Sequence, residues 1–121
     1  MRIAIFQPPY PAAGTASAAE ACLRWMRAGL DGLEAGRHDL ILLPEYATAP
    51  GLGDGASIHQ FAASQGADFL RAVGEAARRM GCLIALSGPV RSGRRWFNRS
   101  LVFDASGEIA SSYDKLHLTA V

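Results

Sequence analysis

The sequence predicts an α/β fold, a mostly parallel sheet built from βαβ units and followed by a β-meander. Three observations carry this. Short aliphatic runs, such as Leu40, Ile41, Leu42 and Leu43, read as strands buried on both faces. Longer stretches between them place apolar residues at three- and four-residue steps, the pattern of amphipathic helices. The last third of the chain has strand-like runs joined by short Gly-containing turns instead.

Taken in order, residues 2–6 read as a first strand with an irregular exit through Gln7, Pro8, Pro9, Tyr10 and Pro11. Ala19, Cys22, Leu23, Met26, Leu30 and Leu33 form one apolar stripe of a first helix. Thr15 or Ser17 is placed to cap it, and Gly36 to stop it. Residues 40–43 are the second strand, ended by Pro44, which has no N–H for a ladder. Residues 47–66, rich in Gly, Ala and Ser, read as a long loop with a short helix near residues 58–63. Residues 67–80 are a second long helix: Phe69, Leu70, Val73, Ala76, Ala77 and Met80 share a face. Arg78 and Arg79 suit its C-terminal dipole, and Gly81 ends it. Residues 82–86 are the third strand, with Gly88 and Pro89 loosening its end. A turn at Ser92 and Gly93 leads to a fourth strand at residues 96–103, and a turn at residues 105–107 to a fifth at 108–113.

Strand directions follow from the connectors. Strands joined through helices run parallel with a right-handed crossover, and strands joined by tight turns reverse. Strand five is therefore parallel to strand two. Glu45 follows the carboxyl end of strand two and Lys115 that of strand five, so both emerge at one edge of the sheet. In open α/β sheets that edge is where ligands bind. The two side chains are expected to share one pocket, within roughly 4 Å for a direct pair. Tyr46 is a candidate substrate-binding residue by adjacency to Glu45.

Glu45 stands in Leu43-Pro44-Glu45-Tyr46, and Lys115 in Tyr113-Asp114-Lys115-Leu116-His117-Leu118. Between them lies Asn98-Arg99-Ser100, ahead of Leu101-Val102-Phe103-Asp104 and Gly107. In this order and spacing the motifs resemble the nitrilase superfamily of carbon–nitrogen hydrolases, over essentially the whole chain. The resemblance implies the N-terminal half of an α-β-β-α sandwich, with residues 1–121 as the part of a carbon–nitrogen hydrolase domain that precedes its nucleophilic cysteine. It implies a Glu–Lys–Cys triad, with Glu45 as general base and Lys115 as the cation beside the oxyanion. His117 would position the loop. Asp114 points to the amide- and carbamoyl-cleaving branches, since true nitrilases tend to carry Arg there. The substrates implied are small amides, carbamoyl compounds or nitriles, with no cofactor and no metal. Residues 1–121 alone are expected to be inactive for want of the cysteine, and marginally stable, since half a sandwich leaves a sheet face open. The longer protein is expected to be a homo-oligomer. The alternative reading is a non-catalytic remnant or a binding or regulatory domain of the same fold.

Composition narrows the remaining classes. With 121 residues the chain is at most one domain, and half its residues are hydrophobic. A formal net charge of +1 offers no case for nucleic acid or an anionic membrane surface. Arg91, Arg94, Arg95 and Trp96 read as a solvated hairpin tip. No apolar run is long enough to span a bilayer, and a secretory signal is not expected in residues 1–9. Cys22 and Cys82 form neither a zinc pattern nor a disulfide framework, which fits a reduced, cytoplasmic setting. Both read as buried packing residues. His38 and His59 read as isolated, solvent-facing or loop residues rather than ligands.

Overall fold

The computed structural model describes residues 1–116. The elements run β1 (Ile3–Ile5), α1 (Ala16–Asp31), β2 (Leu40–Leu42), α2 (Gly55–Phe61), a π-helical turn (Ala62–Gly66), α3 (Ala67–Met80), β3 (Leu83–Ser92), β4 (Arg95–Phe103) and β5 (Ile109–Asp114). The five strands form one sheet in the order β1-β2-β3-β4-β5. β1, β2 and β3 are parallel, and the β3–β4 and β4–β5 pairings are antiparallel. This is the α/β architecture the connectors predict: helical crossovers first, then a meander.

Helix α1 begins where Thr15, in extended conformation, accepts a hydrogen bond on Oγ1 from the Ala18 backbone N–H at 3.2 Å. Thr15→Ala is expected to cost about 1 kcal/mol through loss of this cap, read as a lower melting temperature. The helix ends one turn earlier than Gly36 suggests. The Gly32 N–H still bonds Ala28 at 3.0 Å, but Leu33 N–H already turns back to Leu30 at 3.2 Å, tightening the last turn. Gly36 sits beyond, in a turn with φ +79°. Gly81 does end α3, in the left-handed conformation with φ +66°.

The expected loop at residues 47–66 is mostly helix. Asp54 caps α2, its carboxylate accepting from the Ser57 N–H at 3.0 Å and the Ser57 hydroxyl at 2.8 Å. Helix α2 then continues through the π turn into α3. The start of this stretch is no mobile connection: Ala47, Thr48, Ala49 and Pro50 are all buried.

Strand β3 is also longer than expected, running through Gly88 and Pro89 to Ser92. The carbonyls of Ala85, Ser87 and Pro89 accept hydrogen bonds from Leu43, Ala47 and Thr48, so this set of residues faces the β2 side. A strand residue points its N–H and C=O the same way. The missing N–H of Pro89 therefore faces away from β4, and the hairpin loses nothing. Gly93, at φ +63°, makes the two-residue turn that pairs Ser92 with Arg95.

Helices α1 and α3 contact each other and supply core residues such as Leu23, Met26, Leu30, Phe69, Val73 and Met80. These join Ile41, Ile84 and Phe103, which lie in one cross-strand row of the sheet. The rows on either side of that one alternate to the opposite face. Ile3, Leu40 and Leu83 form one of them, and Ile5, Leu42 and Ala85 the next. That second face is open: Ile3 is 48%, Ile5 64% and Leu83 40% exposed. One covered and one bare apolar face is the geometry of half a sandwich.

Candidate active site

Glu45 is presented by a defined excursion of the backbone. Leu43 donates its N–H to Ala85 at 2.9 Å, and Ala47 donates to Ser87 at 2.8 Å. Between these two bonds β3 advances two residues while the other chain advances four. Pro44, Glu45 and Tyr46 therefore bulge out at the carboxyl end of β2. Closing the bulge forces Tyr46 to φ 60°, a left-handed conformation uncommon for a residue with a Cβ. Tyr10, from the Pro-rich exit of β1, ties the bulge down: its hydroxyl donates to the Glu45 carbonyl at 3.0 Å and reaches the Tyr46 carbonyl at 3.5 Å. Burial, with Cys22 as the next cause, pushes the Tyr10 hydroxyl up to about 12, so it remains a donor at neutral pH.

Behind the bulge, Thr48 is 1% exposed and donates its hydroxyl to the Pro89 carbonyl at 3.2 Å. Two glycines make room for it. A Cβ at Gly66 would lie 2.4 Å from the Thr48 carbonyl oxygen, and one at Gly88 would lie 2.2 Å from Thr48 Oγ1. The π turn delivers Gly66 to this contact.

Lys115 follows β5. Its backbone N–H bonds the Asn98 carbonyl at 2.9 Å, and its Nζ stands 3.7 Å from Glu45 Oε1. The strand-direction argument required one common edge, and the two side chains meet there. Enclosure is another matter. The Glu45 and Lys115 side chains are 63% and 45% exposed, so within the described residues the pair lies on an open surface rather than in the expected pocket. An exposed pair of this kind contributes ~0–1 kcal/mol; stability does not explain it.

Asn98 completes the cluster, donating from Nδ2 to Glu45 Oε1 at 3.3 Å. Its neighbour Arg99 makes a two-pronged pair with Asp114, Nε to Oδ1 at 2.6 Å and Nη2 to Oδ2 at 3.2 Å. This fork fixes the end of β5 just before Lys115. The Arg99 hydrogen bond holds the Asp114 carboxyl below its ordinary range. A depressed carboxylate stabilises the fold above the unfolded value near pH 4 and loses that contribution as pH falls through the lower folded value. Asp114→Asn is therefore expected to melt below wild type at pH 7, with the gap closing as pH is taken well below about 4. A gap independent of pH would count against the pairing.

The other sequence candidates are placed as follows. Tyr46 is half-buried at the bulge, and its backbone carbonyl lies 3.5 Å from the Tyr10 hydroxyl. Cys22 and Cys82 are 3% and 4% exposed in the core, and burial raises both thiols. His59 is surface-exposed but not isolated: its ring stacks on Trp96 at 4.3 Å and 2°. His38 lies in the loop before β2 and is half-buried, with Nδ1 buried and unpartnered among the described residues. His117 lies outside the described residues. Among the described residues no group of His, Cys, Asp and Glu is arranged to hold a metal, and no helix is long and apolar enough to cross a membrane.

Residues 2–121 match the carbon-nitrogen hydrolase family. XC1258 of Xanthomonas campestris, a CN-hydrolase superfamily protein with an arsenic adduct in its active site, superposes with TM-score 0.69 at 27% identity, covering 98% of this chain and 41% of its own. An amidase from Nesterenkonia sp. gives 0.64 at 22% identity over 100% of this chain and 44% of its own. A carbon-nitrogen hydrolase from Helicobacter pylori G27 gives 0.68 at 17% identity over 98% and 40%. This chain thus spans less than half the length of these structures, and its sheet and helices match their N-terminal part. No curated protein matches the sequence. The family match across residues 2–121, on the α/β half-sandwich described above, makes this chain a member of the carbon–nitrogen hydrolase (nitrilase) superfamily.

Proposed function

We propose that this chain supplies the base and the cation of an amidase-type site, in a protein whose nucleophilic cysteine comes from sequence after residue 121. The observation that carries the reading is the meeting of Glu45 and Lys115, from two separate elements, at 3.7 Å on the carboxyl edge of the sheet. Free thiols are mostly protonated at neutral pH, with pKa about 8.5. Glu45 takes the thiol proton as sulfur forms its bond to the substrate carbonyl carbon. Lys115 faces the oxyanion that develops. Ammonia leaves, carrying the proton back from Glu45, and a thioester remains. Glu45 then takes a proton from water, whose oxygen attacks the thioester; the carbon–sulfur bond breaks, the acid is released, and Glu45 returns the proton to the departing thiolate. Residues 1–121 alone hold no thiol at this position and are not expected to turn over.

Amide and carbamoyl substrates are favoured over nitriles in this reading. A Nesterenkonia amidase variant shows covalent addition of the acetamide moiety of fluoroacetamide at its active-site cysteine. The open apolar face carrying Ile3, Ile5 and Leu83 would be covered by the second sheet of the sandwich. The test is to treat the protein that carries this chain with fluoroacetamide, and to measure ammonia release from short amides and carbamoyl amino acids. The expected adduct is on a cysteine other than Cys22 and Cys82, and it stops turnover. Labelling confined to Cys22 or Cys82, or silence across the panel, would sink the reading.

A further inference from the structure

Resting on that assignment of Glu45 and Lys115, we propose that Asn98 is the positioning residue that sets the base and the cation against each other, and that it divides the Glu45 carboxylate into a held oxygen and a working one. Asn98 touches both partners. Its side-chain Nδ2 donates to Glu45 Oε1 at 3.3 Å, and its backbone carbonyl accepts from the Lys115 N–H at 2.9 Å. Lys115 Nζ approaches that same Oε1 at 3.7 Å. One hydrogen bond and one cation thus converge on Oε1. Among the described residues Oε2 accepts no hydrogen bond, which leaves it as the oxygen to receive a proton.

The amide orientation follows from the same contact. A flipped Asn98 would set its oxygen against the Glu45 carboxylate, acceptor to acceptor. In the orientation present, Oδ1 is buried without a partner among the described residues. An unsatisfied buried acceptor is unfavourable. Its retention here marks a residue kept for its donor. The backbone around Asn98 is well held: it pairs with Pro89 in the β3–β4 ladder, and the Arg99–Asp114 fork lies one step along the strand. Asn98 is therefore a rigid post that holds the exposed Glu45 carboxylate through its side chain and the Lys115 backbone through its carbonyl.

The experiment uses the protein that carries this chain, with its cysteine, and steady-state hydrolysis of a short amide. Asn98→Leu keeps the approximate shape and removes the donor without adding charge; Asn98→Ala removes the side chain. Each is expected to lower kcat by about 100-fold, the scale of an ångström misplacement, with KM changed by less than about 2-fold and a melting temperature close to wild type for Asn98→Leu, which also removes the unpartnered Oδ1. Asn98→Ala combined with Glu45→Gln is expected to be no slower than Glu45→Gln alone, because Asn98 acts through Glu45. If Glu45→Gln is slow while both Asn98 variants keep wild-type kcat, the positioning role is wrong and the catalytic reading survives. Losses that multiply in the double variant would show a general structural role and also overturn it. If Glu45→Gln itself keeps wild-type kcat, the catalytic reading fails first, and this proposal with it.

Discussion

Glu45→Gln is expected to lower kcat for amide hydrolysis by about 10²–10⁴-fold, the usual worth of a positioned general base, in the protein that carries this chain. The substitution is nearly isosteric, and the amide oxygen can still accept from Asn98. What it removes is the capacity to take a proton. Lys115→Met is expected to cost about 10²–10³-fold in kcat, the scale seen when one oxyanion donor is lost. Neither side chain is assigned to ground-state binding, so KM is expected to move little. Because the exposed pair contributes only ~0–1 kcal/mol to folding, both variants should melt close to wild type. Steady-state kinetics alongside thermal melts separate the two effects. A loss below about 10-fold for Glu45→Gln, on the general-base scale, would remove the residue from the chemistry.

Much of the fold was legible because it depends on local signals. Aliphatic runs and helical stripes located the main elements, and connector type alone fixed every strand direction. From those directions the meeting of Glu45 and Lys115 followed without any knowledge of side-chain contacts. What the sequence concealed was non-local. Pro89 reads as a strand terminator until its nitrogen is known to face away from β4. Residues 47–66 read as a loop by composition, yet Ala47, Ala49 and Gly66 are small because they are packed. Asp54, three residues before Ser57, caps α2 from among glycines that mask the helix start. Asn98 was visible as part of a motif; its contact to Glu45 spans 53 residues and no local pattern predicts it. Tyr10 reaches the Glu45 carbonyl from 35 residues away, and nothing in the Pro-rich exit announces it.

The packing behind the bulge leads to the second large effect, at a position that touches neither Glu45 nor Lys115 in the described contacts. Gly88→Ala is expected to destabilise the chain by about 1–3 kcal/mol, as overpacking of a tight core site does, and to lower kcat by about 100-fold. A Cβ at Gly88 would lie 2.2 Å from Thr48 Oγ1, 3.1 Å from Thr48 N and 3.2 Å from Thr48 Cβ. Thr48 cannot retreat easily, because it is buried and its carbonyl already lies against Gly66. The strain must pass to the segment that precedes it. That segment is the bulge at Pro44, Glu45 and Tyr46, held by the Leu43–Ala85 and Ala47–Ser87 hydrogen bonds, by the Ala49 N–H on the Tyr46 carbonyl and by the Tyr10 hydroxyl. Tyr46 already holds an unfavourable left-handed backbone, so relaxation there is the easiest outlet. It would carry the Glu45 carboxylate away from Asn98 and Lys115. Adding Thr48→Ala removes the closest atom, Oγ1, and is expected to recover part of both losses, though the Thr48 backbone contacts stay tight. Melting temperature and kcat measured on the single and double variants decide the matter. Wild-type values for Gly88→Ala, or a double variant that regains stability without regaining any kcat, would break the link between this packing and the placement of Glu45.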